Sequence, residues 1–451
     1  MTVSTRLCML LSIALIWTFS SRIANSQTET SQHAPPGTYV LNLAALRSID
    51  SKSLENGQPI FVTHHSVSND PGGGIFVWEA ELNYKWPPEP DDPSVYPNSR
   101  AGDNNGTIIR PDDVSADQPG RWVRQAYLDQ GSKMVNVNWF GARPDLPDFD
   151  NAPAIQAAHD TLPIMTFNVG PAPSGRHIRP GTVQLGAGTY WIGTTLYQSS
   201  RTTLTGKGMQ TSTLAAMVGR FDDPTPGAET WMVRWEKPPE VTPNNNFYCR
   251  LENLGVIGSA ALNNHENRSV SGVQIQGAQG SWMRDVSFHS FAKRGTDCQV
   301  SILGTCWFAD VREGPVVDLA GGPGYQFGNL SIEHGNPTGK FMDPETKLPI
   351  AALRIRNMDV ASFEQVQFEG SQVACSMVNC RGLTFNAVVN NRSGLQDSYT
   401  FYIQGDSYSN QFLKKFFYLG GKTDDFQIYD NSLIAIRDQK SGEIYQKVIT
   451  K

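Results

Sequence analysis

The chain has 451 residues, enough for one large domain and a smaller companion. Its 41 glycines, 10% aromatic and 18% charged residues describe a turn-rich, strand-rich globular protein and argue against disorder or a helical bundle. A formal net charge of −6, with no basic patch or stripe, argues against a nucleic-acid partner.

Residues 1–26 read as an export signal. Arg6 supplies the charged start, residues 7–19 form an apolar run, and Ala24-Asn25-Ser26 offers small residues ahead of Gln27. Cys8 precedes the apolar core and is not placed for lipid attachment. The run is too short to span a bilayer, and no later stretch reaches roughly 18 apolar residues. No membrane insertion is expected, and the mature protein is expected to be secreted or periplasmic.

Residues 27–130 read as a small β-rich head. A short helix is expected over 44–50, with strands at 59–62, 74–78, 106–109 and 121–123. Between 85 and 105 lies a Pro/Asp/Asn loop, too polar and proline-broken for regular structure. His64 and His65 read as turn or surface residues.

From 131 to 451 the pattern changes. The run "VNWFGARPDLPDFDNAPAIQAA" (137–158) passes from a strand through a loop into a short helix, with Asp150 as the expected N-cap. Ala154, Ile155, Ala157 and Ala158 give that helix a small apolar face. Farther on, three segments repeat: 271–291, 314–336 and 351–371. Each holds two alternating strands whose anchors share one offset: Ile275 and Val286, Leu319 and Leu330, Ile355 and Val366. Intervals of 36 to 44 residues suit stacked coils with loops of variable length. A hairpin sandwich also gives short alternating strands. Two-residue primed-turn pairs are scarce, however, and the recurring offset is what stacked rungs demand.

Five cysteines follow the signal. Cys298/Cys306 and Cys375/Cys380 are spaced to close small loops, leaving Cys249 over. None forms a zinc pattern, and no metal or other cofactor is expected; calcium is compatible with uronate binding, but no dense acidic cluster specifies it. Four sequons (Asn105, Asn267, Asn329, Asn391) would matter only in a eukaryotic secretory pathway.

"FGA…DNAPAIQAA", followed by "GTVQLGAGTYWIGTTL" and "TTLTGKGMQTSTL", resembles the opening of the pectate-lyase-like superfamily, which includes rhamnogalacturonase and epimerase relatives and phage tailspikes. The likeness is close over 135–214, and the coil pattern carries it to about 390. "LAALRSID", "DPGGGIFVW", "NNGTIIRP" and "GRWVRQ" are similar to the small domain that precedes the β-helix in tailspike-like proteins. The resemblance implies an all-β, right-handed parallel β-helix behind a β-rich head, with a short helix capping the first coil. It leaves the reaction open, because this fold hosts lyases, hydrolases, epimerases and binders. Glu333-His334-Gly335 and Arg354-Ile355-Arg356 resemble fragments of the polygalacturonase set, but that set's paired-aspartate element is absent. The family's Asp-Gly turn after "FGA" is also replaced, by Asp145-Leu146-Pro147-Asp148.

Aligning Val286, Leu330 and Val366 places Ser287 and His289, Ser331 and Glu333, Gln367 and Glu369 on the outside, with Ile257 in the same column. Neighbouring rungs lie about 4.8 Å apart, so His289, Glu333 and Glu369 are expected in one vertical row. His334 ends the same strand. The candidate catalytic residues are therefore His289, Glu333, His334 and Glu369. Arg354, Arg356, Arg312 and Asp310 are the candidate substrate-binding residues. Trp191, Trp231, Trp235, Trp282 and Trp307 are candidate sugar platforms, though packing is the commoner role of Trp. The function expected is binding and cleavage of a uronic-acid-containing polysaccharide, by β-elimination or by glycoside hydrolysis. The alternatives are a non-catalytic polysaccharide-binding or adhesion protein, and a phage-derived tailspike assembled as a homo-oligomer, specifically a trimer.

Overall fold

A computed structural model of the protein describes residues 39–67, 70–85, 100–163, 165–166, 177–235, 246–260, 267–276, 278–344, 347, 349–391, 399–404, 411–412, 416–418, 433–437 and 444–448. The export-signal expectation at 1–26 lies outside the described residues, as does most of the proline-rich loop.

The head is a five-stranded sheet over Tyr39–Val40, Pro59–Val62, Gly74–Glu79, Ile108–Ile109 and Arg121–Arg124. Alternation sends Ile60, Val62, Phe76, Trp78 and Trp122 to one face. There they pack with Leu43 and Leu46 of helix α1 (Leu43–Arg47) in a core of their own. The helix is shorter than expected, because Ser48 closes it and Ser51–Ser53 follows as a separate 3-10 turn. A second short helix, α2 (Gln125–Asp129), leads out of the sheet.

Arg124 fastens the head to the start of the coil domain. It is buried, donates to the carbonyls of Gly72, Gly73 and Gly106, and lies over the rings of Phe76 and Trp139 at 4.5 and 5.1 Å. His65 is a correction to its reading as a surface residue. It is only 7% exposed, and it sits where a Cβ on Gly141 or Gly72 would collide with it.

The remainder is a parallel β-helix whose pairings resolve into three ladders. The first runs through Met134–Asn136, Gly181–Gln184, Thr202–Thr205, Arg250–Glu252 and Trp282–Arg284 into the start of Ser301–Val311 and then the middle of longer strands. The second runs through Gly188–Ile192, Ser212–Ala216, Gly255–Ile257 and Ser287–Phe291, then through the ends of Ser301–Val311, Val317–Glu333 and Leu353–Glu369. The third runs through Leu196–Gln198, Thr230–Trp235, Val270–Ile275 and Thr296–Cys298, then through the starts of the two longest strands.

Each ladder buries apolar columns. Ile302, Phe327, Phe363 and Phe385 stack up the first, with neighbouring rings of the three Phe residues 4.3 and 4.4 Å apart. Phe288, Phe308, Ile332 and Phe368 fill the second; Ile275, Cys298, Leu319, Ile355 and Met377 fill the third. The anchors therefore stack as expected, with one correction to the period. Cys298 takes the rung between Ile275 and Leu319, so that interval spans two coils. The coil between Leu319 and Ile355 is long because it includes the loop that returns through residues 334–352.

Between the first and second ladders the chain turns through the left-handed region, at Asn253, Asp285 and Gly304 (φ 56°, 51° and 70°). Asn and Asp tolerate that conformation better than most residues do. A second left-handed column, Ser290, Asp310, His334 and Gly370, closes the far edge of the second ladder.

Helix α3 (Ala152–Thr161) packs against the first coil, burying Ile155 and Ala158, with Ala154 and Ala157 partly covered. Its N-cap is Asn151 rather than Asp150. Asp150 serves one residue earlier, accepting from Ala152 N and Gly193 N at 2.9 Å each, and so ties the helix to the coil it covers. All five described cysteines are buried thiols outside any disulfide, which corrects the loop-closing pairs. Cys298 and Cys306 belong to different ladders, each filling a core column. Burial pushes both thiols up, with Cys306 at about 11.

Candidate functional site

The outer surface of the second ladder carries the expected row. Ile257 pairs with His289, and His289 with Ala309; Phe308 pairs with Ile332, which sets Glu333 on the next rung. Glu333 pairs directly with Glu369. The column thus reads Ile257, His289, Ala309, Glu333, Glu369. It points outward because the residues beside it, Phe288, Phe308, Ile332 and Phe368, are fully buried. The intervening coil puts Ala309, which is buried, between His289 and Glu333.

The neighbouring column is Gly255, Ser287, Trp307, Ser331 and Gln367. His289 lies against the half-exposed Trp307, with ring centroids 5.4 Å apart. A depression of about 200 Å³ opens here, lined by Met209, Thr213, Gly255, Ser287, His289 and Trp307, among others. Gly255 forms its floor, and a Cβ there would stand 2.8 Å from the carbonyl oxygen of Met209. Burial holds the His289 imidazole below its ordinary pKa, with Asp310 opposing in part, so the ring is a neutral acceptor near pH 7. Ser331 Oγ donates to Glu333 Oε1 at 2.7 Å and orients that carboxylate.

His334 and Asp310 adjoin the row at the left-handed turn, with Nδ1 and Oδ1 3.1 Å apart. Gly370 continues their column. A side chain there would place its Cβ 2.3 Å from His334 Cδ2, so glycine gives the imidazole its space. Arg312 lies farther out, pairs with Glu313 at 3.3 Å, and lines a second depression of about 270 Å³ with Arg268, Lys293 and Phe341, among others.

Arg354 and Arg356 are not beside the row. The strand that carries them bends at Asn357 and Val360 (φ 51° and 52°), so its first half joins the third ladder and its end the second. Both arginines turn onto Asp318. Arg354 Nη2 reaches it at 2.5 Å and Arg356 Nη2 at 3.1 Å, while Arg294 Nη1 approaches from a third side at 3.2 Å. Asp318 has no exposed side-chain surface, and Asp297 is its register partner on the preceding rung. Arg294 also engages Glu229 and Asp297. Two aspartates side by side are thus assembled from separate coils, which sequence reasoning missed. The only signal was that "TDC" and "VDL" share one alternation phase. Asp318 lies on the outer side of the third ladder, since its neighbours Val317 and Leu319 are fully buried, and it is covered by three partly exposed guanidinium groups.

Among the candidate platforms, Trp231 and Trp235 are buried. Trp282, on the first ladder, stacks under Arg250 at 4.0 Å and donates to Glu252. Among the described residues, no group of three or more His, Cys, Asp and Glu side chains is placed to hold a metal ion, and no helix is long and apolar enough to cross a membrane.

The sequence pattern of the rhamnogalacturonase A/epimerase, pectate lyase-like family matches residues 134–392, more than half the chain. The chain belongs to this family. The match begins at the first coil and ends just past the strand Arg381–Asn391, so it includes every residue of the row. No curated protein matches the chain. Among solved structures, the chain is similar to the enzymatically active domain of tailspike protein 2 of bacteriophage CBA120. The TM-score is 0.52 at 15% identity, over 89% of this chain and 55% of that one. The full-length tailspike protein 2 of an Escherichia coli O157:H7 bacteriophage gives 0.51 at 15% identity, over 88% and 48%. Pantoea stewartii WceF, described as a glycan biofilm modifying enzyme, gives 0.47 at 14% identity, over 92% and 52%. At such identities the likeness is one of fold. The chain spans about half the length of these structures.

Proposed function

We propose that the protein is an extracellular polysaccharide depolymerase acting by glycoside hydrolysis, with its site on the outer surface of the second ladder. The observation that carries this reading is the register pairing of Glu333 with Glu369, on one surface with Trp307 and His289. Hydrolysis of a glycosidic bond needs two carboxyl groups, one to protonate the leaving oxygen and one to act at the anomeric carbon. Trp307 offers a flat apolar face for a sugar ring.

Hydrolysis is favoured over β-elimination by what this ladder does not carry. Elimination from a uronate needs a cation against the substrate carboxylate, so that the carbanion is tolerable. Among the described residues, the segments listed above for the second ladder bring no Lys or Arg to the row, and Arg354 and Arg356 are committed to Asp318. Arg312, Arg268 and Lys293 line a separate depression, and each is paired with a carboxylate, of Glu313, Asp222 and Glu313 respectively. The similar tailspike fragment is itself described as an enzymatically active domain, which supports a catalytic reading over a purely binding one. Export through residues 1–26 would deliver the protein to such a glycan.

The test is incubation with acidic and neutral polysaccharides, reading reducing ends together with ultraviolet absorbance of unsaturated uronates. Reducing ends without new absorbance support hydrolysis. New absorbance replaces it with elimination, and binding without either signal removes the enzyme reading.

A further inference from the structure

The outer face of the first ladder carries a second surface, across the left-handed turn at Asn253 and Asp285 from the row. Leu251 and Met283 are fully buried, so alternation sends Arg250 and Glu252 outward on one rung, Trp282 and Arg284 on the next. Arg250 and Trp282 are register partners, and the Arg250 guanidinium lies over the indole at 4.0 Å. Arg284 approaches the same ring at 5.8 Å. Both cations are within range of attraction to the ring face. The indole is held from its edge, because Nε1 donates to Glu252 at 2.5 Å.

A second stack stands at the entry to the same rungs. Arg201 lies over the ring of Tyr248 at 5.6 Å, and Tyr248 is 47% exposed. Both residues take left-handed backbone (φ 66° and 55°), which large side chains seldom adopt. Glycine or asparagine would fit those turns with less strain. Gly280 continues the column at φ 63°, and a Cβ there would stand 2.7 Å from the Tyr248 ring, so glycine gives the phenol its place.

Three successive rungs thus bring Arg201, Arg250 and Arg284 to one face. They differ from Arg268, Lys293 and Arg312, each of which meets a carboxylate. Among the described residues, neither Arg250 nor Arg284 forms an ion pair, and Glu252 is taken by the indole. In a chain of net charge −6 this is a local excess of cation, assembled from separate coils. A guanidinium stacked by its face keeps its N–H edge for oxyanions, and an exposed phenol ring suits the apolar face of a sugar.

We propose that this face is a second, non-catalytic binding site for anionic polysaccharide. Arg250 and Arg284 take the carboxylate or sulfate oxygens of the polymer, and Tyr248 takes the face of a neighbouring sugar ring. The site stands whether or not Glu333 and Glu369 cut the chain it holds.

The experiment is affinity electrophoresis of the full chain in gels cast with polygalacturonate, dextran sulfate or dextran, at rising salt. The Glu333→Gln form is used so that the polymer stays intact. The expected result is retardation by an anionic polymer, none by dextran, and release as salt rises. Polygalacturonate alone assigns the oxyanion to a uronate, and dextran sulfate alone to a sulfate. Arg284→Glu, which alters an exposed side chain, should weaken binding about tenfold or more. Arg250→Lys, which keeps the charge and loses the planar fork, should weaken it as well. Equal retardation by dextran, no retardation by any polymer, or parental binding by both variants overturns the proposal. Tighter binding to single-stranded oligodeoxythymidine than to either anionic polymer overturns it in favour of nucleic acid. Absence of hydrolysis by the parent would reject the enzymatic reading and leave this binding result standing.

Discussion

Asp318 and His65 show how much single side chains hold here. Asp318 is buried and receives Arg294, Arg354 and Arg356, so its removal leaves three guanidinium groups without their common anion. Breaking a buried pair from one side costs about 3–5 kcal/mol. Asp318→Ala is expected to destabilise by that order in denaturant unfolding, and a loss under about 1 kcal/mol would show the cluster to be solvated. His65 gives a pH effect. Its Nε2 donates to the Asn105 carbonyl at 2.8 Å, leaving Nδ1 buried without a partner, and burial holds the pKa below the usual 6.5. The unfolded chain takes up that proton near 6.5, and the folded one only at lower pH. Stability should therefore fall as pH drops below 6.5, and be unaffected by this group above it. Melting temperatures at pH 7.5 and 5.5 check this: His65→Gln should lose less stability on acidification than the parent does. Equal losses would place the acid sensitivity elsewhere.

The stacked coil is the element on which these residues depend. Phe327, Phe363 and Phe385 form a continuous aromatic stack inside the first ladder, and Phe363 is its middle ring. Phe363→Ala should cost about 3–5 kcal/mol, through lost burial and a cavity that two flanking rings cannot fill. Calorimetric or denaturant unfolding reads that loss; a cost near 1 kcal/mol would mean that the stack repacks. Alternation along a strand encodes which side chains point inward, and that limits how much of the coil was legible in the sequence. Val286, Leu330 and Val366 fix the inward phase, so the outward row of His289, Glu333 and Glu369 could be read directly. The coil through Cys298 was harder to see, because Thr296 and Cys298 give a weak apolar signal where neighbouring rungs have Val and Leu. Arg354 and Arg356 are expected near Glu369 because they lie on the first strand of the coil that carries it. The bend that parts them uses Val360 at positive φ, a conformation a β-branched residue seldom adopts and sequence does not announce. Asp297 and Asp318 meet only through register between coils, which a single sequence does not specify.

Across the whole molecule, the ladders divide the labour. The first holds the aromatic stack, the third carries an ion cluster on its outer side, and the second presents carboxylates, an imidazole and an indole on one surface. Trp307→Ala should raise KM more than it lowers kcat if the indole is a sugar platform; a fall confined to kcat would contradict that role. Glu333→Gln and Glu369→Gln should each lower turnover by about 10²–10⁴-fold. The most direct measurement compares reducing-end release from polysaccharide by the parent protein and by these two variants, all verified to unfold at the same temperature. The account predicts rapid release by the parent, without unsaturated-uronate absorbance, and near-complete loss in both variants. Full activity in either variant would contradict the placement of the chemistry on the second ladder.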